Sequence, residues 1–251
     1  MYTIETLQEI APSVFATEPA SKMSKRYTFV PTIDVVEKFN NAGWNIASAS
    51  QLGDGKHAPH QVKLRNSKLP NVGDSLIEVI IKNSHDGLAT FSVSSGLHRL
   101  VCSNGLTVPT SVADFISVKH MKLDMGMVNQ ITDQFVERLP FIQNSVSKMI
   151  STDLTESQKV DMVQKAGLIR WKQGTMPAGI KVEDILQPLR SEDNGNNAWT
   201  VFNVIQEKWV RGGVKYTSSR KGRIVPMREL KNFTAIDKIN TALWELAESY
   251  C

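Results

Sequence analysis

The sequence predicts an α+β fold: an antiparallel β-meander packed with a long helix, followed by a helical C-terminal half. Three observations carry this. Apolar and polar residues alternate with period two in short runs between residues 44 and 108. Gly, Asn and Asp clusters separate those runs at hairpin spacing. After Pro109 the apolar period changes to three and four.

Residues 1–31 lack steady periodicity, and Pro12, Pro19 and Pro31 punctuate them; they read as an arm lying on the surface. Thr32 is placed to N-cap a helix carrying Val35, Val36 and Phe39, closed by Gly43. Residues 44–51 read as a strand, and Gly53-Asp54-Gly55 as a loop. Over residues 61–65, Val62 and Leu64 face one way and Gln61, Lys63 and Arg65 the other. Residues 76–81 form an apolar, β-branched strand ended by the turn 83–87. The run 88–94 sets Ala89, Phe91 and Val93 against Thr90, Ser92 and Ser94. Gly96 breaks it, 97–102 resumes, and Asn104-Gly105 is a hairpin signal.

In the second half, Met127, Ile131, Phe135, Leu139, Ile142, Val146 and Ile150 stripe one long helix, kinked near Pro140. Thr155 and Gln158 form a capping box for a helix ending near Gly167. Trp199, Phe202, Ile205 and Trp209 stripe another, stopped by Gly212-Gly213. A last helix starts at Thr234 and Asp237 and carries Ile236, Ile239, Leu243 and Leu246. The implied organisation is an arm over 1–31, a helix–meander–helix core over 32–150, and a helical region over 151–251.

The 251 residues are 41% hydrophobic and 22% charged, which excludes collagenous, low-complexity and wholly disordered classes. No apolar run approaches the roughly 18 residues that cross a bilayer. The first fifteen residues carry Glu5 and Glu9 with no basic start, unlike a signal peptide. Two cysteines, Cys102 and Cys251, make neither a disulfide framework nor a zinc cage, so a reducing cytoplasm is the expected compartment.

Charge is unevenly placed. The net charge is +4, yet the segment 208–231 holds eight basic residues against one acid, Glu229. Such a stripe on a near-neutral body fits a polyanion; its bland alternative is a solvated loop. Trp209 and Tyr216 interleave with the cations Arg211, Lys215, Arg220, Lys221 and Arg223, as a single-strand groove with stacking faces requires. Arg170-Trp171-Lys172 repeats the pattern, and Lys63, Arg65 and Arg99 in the meander offer a second charged lining. Trp199 and Trp244 read as core.

Catalytic alternatives are poorer. Cys102 with His85 or His98 and Asp86 is conceivable as a thiol site, but Cys102 sits among apolar residues at a hairpin, where cysteine packs as a small hydrophobe. His57, His60, His85 and His98 would have to converge by folding alone to bind a metal, and Pro59 prevents a helical His57–His60 pair. Phosphate-loop and dinucleotide motifs are absent. No catalytic residue, metal or cofactor is expected.

Several stretches carry a family resemblance: Ser13-Val-Phe-Ala16, Arg26-Tyr-Thr-Phe-Val-Pro-Thr32, Asn83-Ser-His-Asp-Gly87, Arg99-Leu-Val-Cys-Ser-Asn-Gly105 and Asn240-Thr-Ala-Leu-Trp-Glu-Leu-Ala-Glu248. Together they resemble the phage- and plasmid-related domain of unknown function nine-three-two, over nearly the whole chain. The resemblance implies a bacterial or phage cytoplasmic protein and hands over no activity. The layout of a short helix ending in Gly43-Trp44, antiparallel strands and a long helix is similar to that of phage single-strand annealing proteins of the Redβ, RecT and Erf kind and their Rad-fifty-two relatives. That likeness implies rings or filaments holding single-stranded DNA in a basic groove. The function expected is therefore a non-catalytic, homo-oligomeric phage protein that binds and anneals single-stranded DNA. The alternatives are an accessory protein docking on a host or defence protein, and a Cys/His hydrolase.

Overall fold

The computed structural model describes residues 2–25, 27–69, 71–72, 75–99, 105–107, 137, 140–171, 176–218 and 222–251. The chain divides into two compact units, Met1–Pro140 and Phe141–Cys251. Antiparallel sheet dominates the first and helix the second, an α+β fold.

The N-terminal unit opens with helix α1 (Ile4–Ile10), capped by Thr3 through the Thr6 amide, and a 3-10 turn (Pro12–Phe15). This corrects the surface arm expected over 1–31. Leu7, Ala11 and Val14 are fully buried, and a seven-residue helix holds too few turns to show a period. Helix α2 (Thr32–Asn41) follows, with Val35, Val36 and Phe39 in the core. Thr32 does not cap it: Pro31 takes that place, and the Thr32 hydroxyl turns inward.

Among the described residues, five strands form one antiparallel sheet in sequential order: β1 (Asn45–Gln51), β2 (His60–Arg65), β3 (Ser75–Asn83), β4 (Ser92–Arg99) and β5 (Gly105–Thr107). One face carries Ile46, Val62, Leu64, Ile77, Val79, Ile81, Val93 and Leu97, all buried. The opposite face carries Ser48 and Ser50, Gln61, Lys63 and Arg65, Glu78, Ile80 and Lys82, and Ser92, Ser94 and His98. The expected polar face is therefore present, with a buried carboxylate in its central strand. Gly96 does not break β4; the strand runs through it, opposite Glu78. The Asn104 turn lies outside the described residues.

In the C-terminal unit, helix α3 is described over 140–151. Ile142, Val146 and Met149 are its buried stripe, and Ile150 is exposed. The part predicted from Met127 to Leu139 lies outside the described residues, apart from helical Glu137. Helix α4 (Glu156–Arg170) has the predicted capping box and runs past Gly167, where a Cβ would press on the Met176 sulfur at 2.9 Å. Short α5 (Val182–Leu186) leads to α6 (Ala198–Arg211), capped by Asn197. Trp199, Phe202, Ile205 and Trp209 of α6 are buried, with Trp199 and Phe202 packed about the Trp244 ring. Each such side chain contributes about 1.5–3 kcal/mol by leaving water. A hairpin of β6 (Lys215–Thr217) and β7 (Ile224–Pro226) follows where only a loop was expected. Helix α7 (Phe233–Glu248) starts ahead of the predicted Thr234, because Asn232 caps it through the Ala235 amide. No helix among the described residues is long and apolar enough to cross a membrane.

Candidate nucleic-acid interface

The basic segment takes its shape from α6 and two glycines. Lys208 and Arg211 lie in the last turn of α6, where cations complement the helix dipole. Gly212 then adopts φ +79°, ψ −145°, and a Cβ there would stand 2.4 Å from the Met227 carbonyl oxygen. Only glycine allows this close return, which aims the chain out into β6 and back through β7.

Side chains alternate along β6, so Lys215 and Tyr216 face opposite sides of the hairpin. On the Tyr216 side, Arg170, Trp171, Tyr216, Val225, Pro226 and Arg228 line a cleft of about 520 Å³. Trp171 stands edge-on to Trp209 (5.4 Å between ring centres) and to Tyr216 (6.2 Å). The half-buried Arg170 guanidinium donates to the Arg228 carbonyl at 2.9 Å, which fixes it in the cleft wall. Its pKa is lowered by that burial, with the Tyr216 hydroxyl opposing. On the other side, Lys208, Arg211 and Lys215 line a cleft of about 450 Å³ with Asp184 and Glu207. Glu207 is buried and takes both terminal nitrogens of Arg190, at 2.8 and 2.7 Å, and Arg211 at 3.2 Å. Arg211 is thus partly committed to Glu207. Lys215, Arg223 and Arg228 are exposed and make no ion pair among the described residues.

Trp209 is corrected from an interleaved stacking face to core: it is fully buried and serves as backing for Trp171. Trp199 and Trp244 are core as expected. Lys172, Arg220 and Lys221 lie outside the described residues.

In the N-terminal unit, Lys63 and Arg65 share the polar sheet face and converge on Glu78, a residue that the apolar pattern of 76–81 conceals. Arg65 donates to one Glu78 oxygen from Nε at 2.8 Å and Nη2 at 2.7 Å, and the Lys63 ammonium stands 3.7 Å from the other. His98 Nδ1 lies 3.9 Å from Glu78, and burial lowers its pKa despite that carboxylate. Arg99 ends β4 opposite Ser75. The signal for Glu78 is a lone acid at the centre of a β-branched run, where only paired charges are stable.

His98 stands at Glu78, while the His57 carbonyl accepts from the His85 amide at 3.0 Å. His60 and His85 meet, with ring centres 5.1 Å apart and both side chains buried. His60 Nδ1–H donates to the Ala58 carbonyl at 2.9 Å, and Nε2 accepts from the Thr32 hydroxyl at 2.8 Å, which in turn accepts from Asn83. Ser13 Oγ lies 2.8 Å from Nδ1. Burial pushes both imidazoles down to about 4, so they are neutral at pH 7. Tyr27 donates to the Ser84 carbonyl at 2.8 Å, and Phe29 packs on His85. Three of the quoted family stretches thus close on one buried polar cluster joining the N-terminal turn, α2 and the ends of β2 and β3. No group of three metal-ligating side chains occurs among the described residues. Cys102 lies outside them.

Comparison with known proteins agrees with this chain-wide match of motifs. The family model described as "Domain of unknown function (DUF932)" matches residues 19–244. The chain is 30% identical over 255 residues to the UPF0380 protein YafZ of Escherichia coli K12, covering 98% of this chain and 90% of that protein. It is 29% identical to UPF0380 protein YfjQ of the same organism, with the same coverage. No solved structure matches the chain significantly. On a family match spanning nearly its whole length, the chain belongs to the DUF932 family.

Proposed function

We propose that the protein binds single-stranded DNA through the β6–β7 hairpin and works as a homo-oligomeric annealing protein of phage or prophage origin, without a catalytic centre. One observation carries this reading: the cleft of about 520 Å³ combines two aromatic residues, Trp171 and Tyr216, with the basic residues Arg170 and Arg228. Single strands are held by stacking on aromatic faces beside cations that track the phosphates, which is this combination. Arg223, exposed on the same hairpin, adds a further positive charge, and Lys215 is exposed on the other side of that hairpin. The bacterial cytoplasm is the compartment in which such a protein would meet its strand.

The test is fluorescence anisotropy of a labelled 30-nucleotide strand against the same sequence as duplex, over a salt series. Binding through about five phosphates gives a slope of log affinity on log salt of roughly −3 to −4. Quenching of Trp171 by the strand, abolished in Tyr216→Ala and Trp171→Phe, would put the bases in the cleft. Absence of strand binding at low salt overturns the reading and favours an acidic protein partner for the stripe.

A further inference from the structure

A second site lies in the N-terminal unit and does not depend on strand binding. Glu78 is fully buried and grips Arg65 by two of its three nitrogens. The third, Nη1, has no hydrogen-bond partner among the described residues, and the side chain is 30% exposed. Arg65 also lines a cleft of about 310 Å³ at the end of the sheet. A guanidinium locked by a buried carboxylate and presenting a free N–H edge is preorganised for an oxyanion. The Lys63 ammonium, 3.7 Å from the same carboxylate, leaves the locus with more positive than negative charge.

The rest of the cleft selects what accompanies that oxyanion. Asn45, Asn66 and Asn71 stand at its walls, while Leu76, on the Arg65 face of β3, supplies an apolar surface. The Asn66 oxygen is taken by the Lys68 amide at 3.0 Å, so that side chain offers its N–H₂. The bulge in β1 between Ile46 and Ser48 opens the wall at Ala47. Amides pair with the donor–acceptor edge of a base, aliphatic surface packs against its face, and a guanidinium takes phosphate. The volume is at the small end of the roughly 300–1,000 Å³ that hold organic ligands. We infer that this cleft binds a nucleoside monophosphate unit, with the phosphate on Arg65 and the base against Leu76 and the asparagines. The same chemistry arises from a free nucleotide or from the 5′-phosphorylated end of a strand.

The experiment titrates the full-length protein calorimetrically with dAMP, deoxyadenosine, and a 12-nucleotide strand with and without a 5′-phosphate. The strands are titrated into Lys215→Ala/Arg223→Ala/Arg228→Ala protein, so that hairpin binding does not mask the site. Saturable binding of dAMP, about ten- to hundredfold tighter than deoxyadenosine, is expected for phosphate on a charged donor. Arg65→Lys keeps the charge and loses the fork, and should weaken dAMP by about tenfold. Asn71→Ala, at an exposed position, should weaken it without touching the Glu78 pair. Preference for dAMP assigns the site to free nucleotide, and preference for the phosphorylated end assigns it to strand termini. Equal binding of dAMP and deoxyadenosine, no binding of any of the four, or unaltered affinity in both variants overturns the inference. Because the strand arms use hairpin-deficient protein, that failure is separate from failure of the hairpin reading.

Discussion

Gly212 bears the tightest steric demand among the described glycines of the C-terminal unit. Its φ and ψ lie where a side chain is excluded, and Met227 backbone occupies the space a Cβ needs. Gly212→Ala should therefore lower stability by about 2 kcal/mol or more, measured by urea unfolding. Gly213 is also at positive φ, but a Cβ there would meet nothing within 4 Å, so it should lose less on the same change. Equal loss at both would show that strain, not the Met227 contact, governs the turn. The residue scale is also where the sequence is least informative. Thr32 fits the local pattern of an N-cap, but its hydroxyl is spent on His60, a partner distant in sequence. Glu78 is invisible to a period count because its partners Lys63 and Arg65 sit on another strand.

At the scale of elements, legibility follows length and local chemistry. Helices α4 and α6 carry their caps and stripes within one stretch of chain, so both are readable. Helix α1 spans seven residues and the strands β6 and β7 three each, too short for a period to emerge. Gly96 misleads because an isolated glycine usually weakens or ends a strand; here it faces Glu78 across the ladder. The hairpin yields the sharper prediction. Lys215, Arg223 and Arg228 are exposed and make no ion pair among the described residues, so replacing all three by alanine should leave stability within about 0.5 kcal/mol per site. If each touches a phosphate, the salt slope for single strands should flatten by about two units. Affinity should fall alike for all sequences, because phosphate contacts carry no base information. A normal melt with an unaltered slope would reduce the stripe to a solvated loop.

For the whole molecule, the division into two units has consequences for assembly and for acid response. Among the described residues the sheet ends in β1 and β5, and edge strands invite pairing with another copy. Light scattering at tens of micromolar protein should therefore report an oligomer, and a strictly monomeric mass with and without DNA would refute it. The acid response follows from where the histidines are. All five lie in the N-terminal unit and none after Pro140. His60 and His85 are held near 4 in the folded chain, below the ordinary 6.5, because burial penalises their charged forms. As pH falls, the unfolded chain takes up these protons first, so folding stability is complete above about 6.5 and drains away towards 4. Between pH 7 and 5 the loss is about 1–2 kcal/mol for each histidine, and His98, also lowered, adds in the same direction. In the C-terminal unit, Asp161 is held below the usual carboxylate range by Lys165 and Tyr250, so it does not titrate in that window. Calorimetry at pH 7 and 5 should show one transition moving down while the other stays. His85→Phe, which keeps the ring packing beside Phe29, should remove about half of the shift. Two transitions that move together, or a His85→Phe protein as acid-sensitive as the parent, would mean that the buried pair does not control the stability of its unit.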